Sequence, residues 1–193
     1  MRNLGLLVII SMLTGISGYG QKETWTFDQP HTNVGFSATY LGVTEVSGKF
    51  NSYSATVLSG KDDFTDAEIE ISIQAGSINT DNDKRDDHLR SEDFLYVEEY
   101  PEITFTSSSL QQVDGKNYRM KGELTIRGKT HEVTLNVKYS GIVEAMGKTR
   151  AGFKVTGTIN RFDYNVDWNK SFTKGLVVSE KIEIICDVNL VKE

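Results

Sequence analysis

The sequence predicts an all-β protein built as one eight-stranded antiparallel barrel, with a short helix between the third and fourth strands. Three observations carry that prediction: apolar and polar side chains alternate strictly through run after run, glycine-bearing turns separate the runs, and one highly charged segment interrupts them. Alternation with a period of two gives a sheet one apolar face. Successive hairpins of this kind form a sandwich or a barrel. Runs of a dozen or more residues favour the barrel, because an open sheet would leave their long edges unpaired.

The first 20 residues stand apart from the strands. MRNLGLLVIISMLTGISGYG carries one basic residue, Arg2, then an apolar run from Leu4 to Ile16, then small residues at Gly18 and Gly20. This is the layout of a secretory signal peptide, and the run is shorter than the ~20 apolar residues a spanning helix needs. Residues 1–20 are therefore expected to be a leader, and residues 21–193 a single barrel domain.

The strands follow in order near 32–41, 43–58, 65–75, 101–113, 116–127, 130–144, 149–163 and 176–191. In the first, Val34, Phe36, Ala38 and Tyr40 share a face against Asn33, Gly35, Ser37 and Thr39. In the third, Ile69, Ile71 and Ile73 oppose Glu68, Glu70 and Ser72. Phe105 belongs to the fourth, Met120, Leu124 and Ile126 to the fifth, and Val133, Leu135 and Val137 to the sixth. Phe153, Val155 and Ile159 continue the pattern in the seventh, and Ile182, Ile184, Cys186 and Val188 in the last. The turns SGKDD at 59–63, DGKN at 114–117, RGKT at 127–130 and MGKT at 146–149 each contain the glycine a tight reversal favours.

The interruption is KRDDHLRSEDF, Lys84 to Phe94. Thr80 with Asp83 resembles a capping box, and Pro101 ends the segment, so a short helix is expected to cross one mouth of the barrel. Leu89, Phe94 and Leu95 would be its buried side. Asp81, Asp83, Asp86 and Asp87 do not make a calcium loop, since the glycine and the final glutamate of an EF-hand are missing.

Composition narrows the function. A chain that is 38% hydrophobic has enough apolar surface for a core, and a net charge of −6 without a basic stripe argues against nucleic acid and anionic membranes as partners. Cys186 is the only cysteine, so no internal disulfide can form and no cysteine follows the leader to carry a lipid anchor. His31, His88 and His131 lie on separate elements, without HExxH spacing, and no GxSxG presents a serine. No catalytic centre, metal or cofactor is expected. Arg161 is unusual, because it shares the parity of Phe153, Val155 and Ile159. It requires either an acidic partner such as Asp163 or Asp86, or a ligand headgroup. In the loop NVDWNKSFTKG, Asn165 to Gly175, Trp168 and Phe172 are large apolar groups that are expected to close one mouth.

The segments WTFDQPHTNVGFSATYLGVTEVSGKF, SINTDNDKRDDHLRSEDFLYVEEYPEITFTS, GELTIRGKTHEVTLNV and AGFKVTGTINRFDYNV resemble successive blocks of the YceI-like family of periplasmic, polyisoprenoid-binding proteins, from about Trp25 to the C-terminus. Tyr40 stands where that family often has a second histidine. The resemblance implies a lipocalin-like barrel with a helix after its third strand, holding a polyisoprenoid or other long-chain lipid. The expected ligand-binding residues are Val34, Phe36, Tyr40, Ile69, Ile71, Ile73, Phe105, Leu124, Val133, Leu135, Val137, Phe153, Ile159, Ile182, Ile184, Trp168, Phe172 and Arg161. Phe36, Ile71, Phe105, Leu135, Phe153 and Ile184 should point inward, and Glu70, Lys121, Asn136 and Lys154 outward. The alternatives are an enzyme acting on such a lipid at the barrel mouth and a stress-related structural protein with a filled barrel. The oligomeric state stays open, a homodimer among the options.

Overall fold

The computed structural model describes residues 22–169, 171–172 and 175–193, so the expected leader lies outside the described residues. The chain forms β1 (Glu23–Phe27), β2 (Asn33–Tyr40), β3 (Thr44–Phe50), β4 (Tyr53–Ser59), β5 (Glu68–Gln74) and β6 (Ile78–Asn79) before its one described α-helix, α1 (Asp83–Arg90). Then come β7 (Glu102–Asp114), β8 (Asn117–Ile126), β9 (Lys129–Ala145), β10 (Lys148–Asn160), the two-residue strands β11 (Ser171–Phe172) and β12 (Gly175–Leu176), and β13 (Val178–Lys192).

The barrel is closed. Its ring runs β1, β4, β5, β7, β8, β9, β10, β13 and back to β1, with every pairing antiparallel. β2 extends the β1 path along β13, β3 pairs with β2, and β6 pairs with β3. The ring thus has the expected eight strands. The expected position of the helix needs correction: α1 follows the sixth strand, not the third. Three extended runs are each broken into two pieces, β1 from β2 by a 3-10 turn at Gln29–His31, β3 from β4 at 51–52, and β5 from β6 by a 3-10 turn at Ala75–Ser77. Pro30 accounts for the first break, since proline cannot donate to a ladder. The strand β1 was not expected at all. It contributes Trp25 and Phe27 to the core and seals the ring by pairing with both β4 and the end of β13.

The helix is capped by Asn82, whose side chain accepts the Arg85 N–H at 3.1 Å, rather than by Thr80. Thr80 instead gives its N–H and hydroxyl to the buried Asp86 carboxylate, at 2.9 and 2.5 Å. Eight residues make a marginal helix in isolation. Tertiary hydrogen bonds hold it: Arg90 donates to the carbonyls of Gly76 and Ile78, at 2.8 and 2.9 Å. The chain after it folds back tightly, with the Leu95 and Val97 N–H groups on the Leu89 and Arg90 carbonyls. This segment and the 3-10 turn Arg161–Tyr164 lie at one end of the barrel, joined through Arg127, whose Nη1 donates to the carbonyls of Phe94 and Asn165, both at 2.8 Å.

The opposite end closes differently. The loop between β4 and β5 reverses at Phe64, which has a φ of 57° and is only 1% exposed. Asp66 ties the loop to Ser59 Oγ and the Gly60 N–H, and Asp63 binds Thr65. The Phe64 ring meets Trp25 and Phe153 at 5.1 Å and Tyr139 at 5.9 Å. Burying a ring of this size stabilises the fold by about 1.5–3 kcal/mol. The barrel therefore has an upper end built from α1 and the 3-10 turn, and a lower end built from an aromatic cluster.

Candidate functional site: the barrel cavity

The inward parity is as expected. Phe36, Ile71, Phe105, Leu135, Phe153 and Ile184 line the interior, while Glu70, Lys121, Asn136 and Lys154 are exposed. The interior is not filled. A cavity of about 250 Å³ occupies the upper half, and a smaller one of about 60 Å³ continues toward Phe64. Phe27, Ile71, Met120, Val155 and Val188 line both, forming a septum between them. At about 30 Å³ per water-sized group, the upper cavity has room for on the order of eight methylene-sized groups.

Glycines keep the lumen open. A Cβ on Gly48 would collide with the Phe36 ring, one on Gly122 with the Phe105 ring, and one on Gly157 with the Leu135 side chain. Phe36 and Gly48 are direct partners in the β2–β3 ladder. Each large side chain thus lies along the wall over a neighbouring strand, instead of pointing across the barrel. The arrangement leaves space where an eight-stranded barrel can otherwise fill itself.

The remaining expected residues divide by position. Val34, Ile73, Leu124, Ile159, Ile182 and Arg161 line the upper cavity, and Ile69 and Val137 the lower. Val133 is half-buried and packs on the core outside the lining. Tyr40 does not reach the cavity: it stands at the end of β2, 43% exposed. Trp168 also lies outside the lining, packed on Phe94 and His88 with ring centroids 5.1 and 5.0 Å away. It covers the residue that covers the cavity. Phe172 forms one end of the β11–β12 pair, and its side chain lies outside the described structure.

Among the described residues Arg161 pairs with no carboxylate. Its guanidinium donates to four backbone carbonyls, those of Ser179 (2.9 Å), Val166 (2.5 Å), Trp168 (2.9 Å) and Val178 (3.2 Å). It clamps the segment between β10 and β13 onto the upper end. Neither of the expected partners takes part, because Asp86 is engaged by Thr80. Burial pushes the Arg161 guanidinium pKa down, and the nearby Asp167 and Glu180 carboxylates oppose that shift.

Tyr164 was missed in the sequence. It lines the upper cavity, is 1% exposed, and its hydroxyl is buried without a hydrogen-bond partner. Burial, with Asp163 nearby, pushes its pKa up to about 12, so it remains a neutral donor. Strand parity could not reveal it, because Arg161–Tyr164 is a 3-10 turn in which side chains three apart stand on one side. Met120 and Phe27 at the septum, and Leu89, Phe94 and Leu95 on the helical segment, complete the lining that matters here. The histidines do not converge: His31 binds Asp28, His88 binds Asp93, and His131 contacts the Asp163 carbonyl. Among the described residues no group of three or more His, Cys, Asp or Glu side chains could hold a metal ion, and no helix is long and apolar enough to cross a membrane.

A family model described as YceI-like domain matches residues 25–190. A UPF0312 protein of Staphylococcus aureus (strain bovine RF122 / ET3-1) is 35% identical over 159 residues, covering 81% of this chain and 90% of that protein. Among solved structures, the YCEI protein of Campylobacter jejuni is 30% identical and superposes with a TM-score of 0.69 over 86% of this chain and 95% of its own. A polyisoprenoid binding domain from Saccharophagus degradans, implicated in plant cell wall breakdown, superposes with a TM-score of 0.62 over 89% of this chain and 99% of its own. At 18% identity it shares the fold.

Proposed function

Because this chain belongs to the YceI-like family and encloses an apolar cavity, we propose that it is a binding protein that holds one isoprenoid or similar long-chain lipid inside its barrel. The observation that carries this reading is the cavity itself. A filled barrel would have favoured the purely structural alternative. Converging titratable groups in a cleft would have favoured an enzyme, and the surface that the cavity exposes is instead almost wholly apolar. Burying apolar surface at ~25 cal/mol per Å² binds a hydrocarbon chain without any charged contact. The polyisoprenoid-binding description of the S. degradans domain supports an isoprenoid as the ligand class.

A short isoprenoid chain starts in the upper cavity. A longer chain fits once the septum yields and the two cavities join. Met120 suits that role, since an unbranched thioether side chain re-packs easily. The leader-like N-terminus supports export, and a periplasmic carrier is the setting in which this reading places the protein. Ligand passes at the upper end, where Trp168 backs Phe94.

Native mass spectrometry of the protein isolated from its own cells tests the proposal. The expected result is a bound lipid of isoprenoid mass that detergent removes and an added C15 or C20 isoprenoid replaces. A protein that carries no lipid and takes up neither probe would overturn it. Met120→Phe should then narrow the chain lengths accepted, keeping a C15 probe and losing longer ones.

A further inference from the structure

Three hairpin turns share one backbone, with positive φ at two successive residues: 47° and 68° at Arg127 and Gly128, 54° and 70° at Met146 and Gly147, and 53° and 72° at Leu41 and Gly42. The residue after the glycine is exposed in all three, and in the first two it is a lysine, Lys129 or Lys148. In the turn between β2 and β3 it is Val43, which is 82% exposed. Backbone geometry therefore does not select the valine. Its N–H closes the turn on the carbonyl of Tyr40, itself 43% exposed, at 3.1 Å. Tyr40 pairs with Val178 and follows the inward parity of Phe36 and Ala38, and those three neighbours line the upper cavity. An apolar strip thus runs from the hairpin tip over the rim and into the barrel. No lysine, arginine or histidine occurs from Asn33 to Gly48, and the one acid there, Glu45, accepts hydrogen bonds from Ser37 and Thr39.

We propose that the β2–β3 hairpin is the surface with which this protein touches a membrane: Tyr40 and Val43 enter the interface of a zwitterionic bilayer, and the lipid crosses Ala38 and Val178 into the upper cavity. The inference rests on the reading of the cavity as a lipid site. A hydrocarbon chain that left a bilayer through water would expose its whole apolar surface, at ~25 cal/mol per Å². An apolar strip continuous with the cavity keeps it covered. Tyrosine suits the contact, since its ring is apolar and its hydroxyl stays at the level of the headgroups. Anionic headgroups draw lysine and arginine, which the hairpin lacks, and the exposed Asp167 and Glu180 lie near Arg161, which holds the Val178 carbonyl. The surface that fits is therefore uncharged overall. Met146, 96% exposed at the opposite end of the barrel, stands beside Lys148 and is not continuous with the upper cavity.

The test separates loading from extraction. Delipidated wild type, Val43→Asp and Val43→Trp are given the C20 alcohol geranylgeraniol either in detergent micelles or in phosphatidylcholine vesicles, the vesicles are floated away, and native mass spectrometry reads the lipid the protein keeps. From detergent all three should load alike, because Val43 does not line the cavity. From vesicles Val43→Asp should load about ten-fold more slowly than wild type and Val43→Trp faster, since a carboxylate opposes entry into the interface and an indole favours it. Equal vesicle rates for the three proteins would overturn the inference. So would faster loading from phosphatidylglycerol vesicles than from phosphatidylcholine, which would make the preferred surface anionic. A wild-type dimer that Val43→Asp dissociates would also overturn it, by giving the hairpin to a second copy of the chain. Equal vesicle rates with normal loading from detergent leave the lipid site intact, whereas failure to load from detergent removes the site and the inference together.

Discussion

At the lower end of the barrel the Phe64 ring closes the lumen against Trp25, Phe153 and Tyr139, on a tight loop pinned by Asp66, Asp63 and the Tyr139 hydroxyl. At the upper end the closure is a helix and a 3-10 turn fastened by side chains that donate to backbone carbonyls, Arg127 to Phe94 and Asn165, and Arg161 to four residues of the segment that follows it. The first closure excludes water by packing a fully buried ring, and the loop that carries it is tied by hydrogen bonds to β4. The second is made of directional bonds to short connecting segments, which can open locally without breaking a strand ladder. The buried Tyr164 hydroxyl lies beneath the second closure. One end, the floor, is therefore closed by a buried ring, and the other by short segments held to backbone carbonyls.

That contrast predicts a graded set of responses. The largest belongs to the floor: Phe64→Ala should cost about 3–5 kcal/mol, since it empties a fully buried aromatic site. Urea denaturation measures it. A lower midpoint with lipid still bound in the upper cavity would sharpen the distinction between the ends, whereas a loss below about 1 kcal/mol would show that Phe64 is no plug.

Arg161→Met comes next, at about 2–3 kcal/mol, because an apolar chain of similar length leaves buried carbonyls unpaired. Its signature is kinetic as well as thermodynamic. A bound isoprenoid should leave faster from the variant, because interactions lost from a closure act mainly on dissociation. Unchanged release from a folded Arg161→Met protein would break the assignment of the upper end as the route of passage.

Alkaline pH probes both ends at once. The Tyr164 pKa is raised to about 12 in the folded protein, against 10.0 for a free tyrosine, so between those values the unfolded chain releases a proton that the folded chain keeps. Stability is fully present below pH 10 and falls as the pH rises toward 12, by on the order of 2 kcal/mol from this residue. Tyr118 and Tyr139 at the floor are also raised, by burial, and slope the same way. The difference between wild type and Tyr164→Phe in alkaline unfolding isolates the upper end. Parallel curves for the two proteins would contradict the burial of its hydroxyl.

The smallest effect is expected from Gly48→Ala. The added methyl displaces the Phe36 ring, which can swing, and presses on the Thr80 methyl, which the bonds from Thr80 to Asp86 hold in place, so stability should fall by about 1 kcal/mol. The ring then swings into the upper cavity. Affinity for a C20 isoprenoid should drop several-fold while a C15 chain is less affected, read by competition in native mass spectrometry.

What the sequence determined by itself is what depends on a local period. The alternation in Ile69, Ile71 and Ile73, in Val133, Leu135 and Val137, and in Ile182 and Ile184 assigns strands, and faces of strands, because successive side chains in extended backbone must point opposite ways. Eight such runs with tight turns lead to a ring, and the charged segment marks a helix, although Asn82 caps it and Arg90 bonds to Gly76 and Ile78 hold it. Tertiary structure decided whatever depends on which residues meet across the barrel. Of the breaks that split three runs, and so put α1 after the sixth strand, the one at Pro30 was legible and those at 51–52 and Ala75–Ser77 were not. Phe64 reads as one aromatic in a polar turn until Trp25 and Phe153, far away in the chain, surround it. The lumen is open because Gly48 faces Phe36 and Gly157 faces Leu135, a cross-strand coincidence without a local signature. The Tyr164 hydroxyl is unpaired only because its neighbours are spent elsewhere. An absence of partners is a property of the assembled interior, since it is decided by every group that could have come within reach.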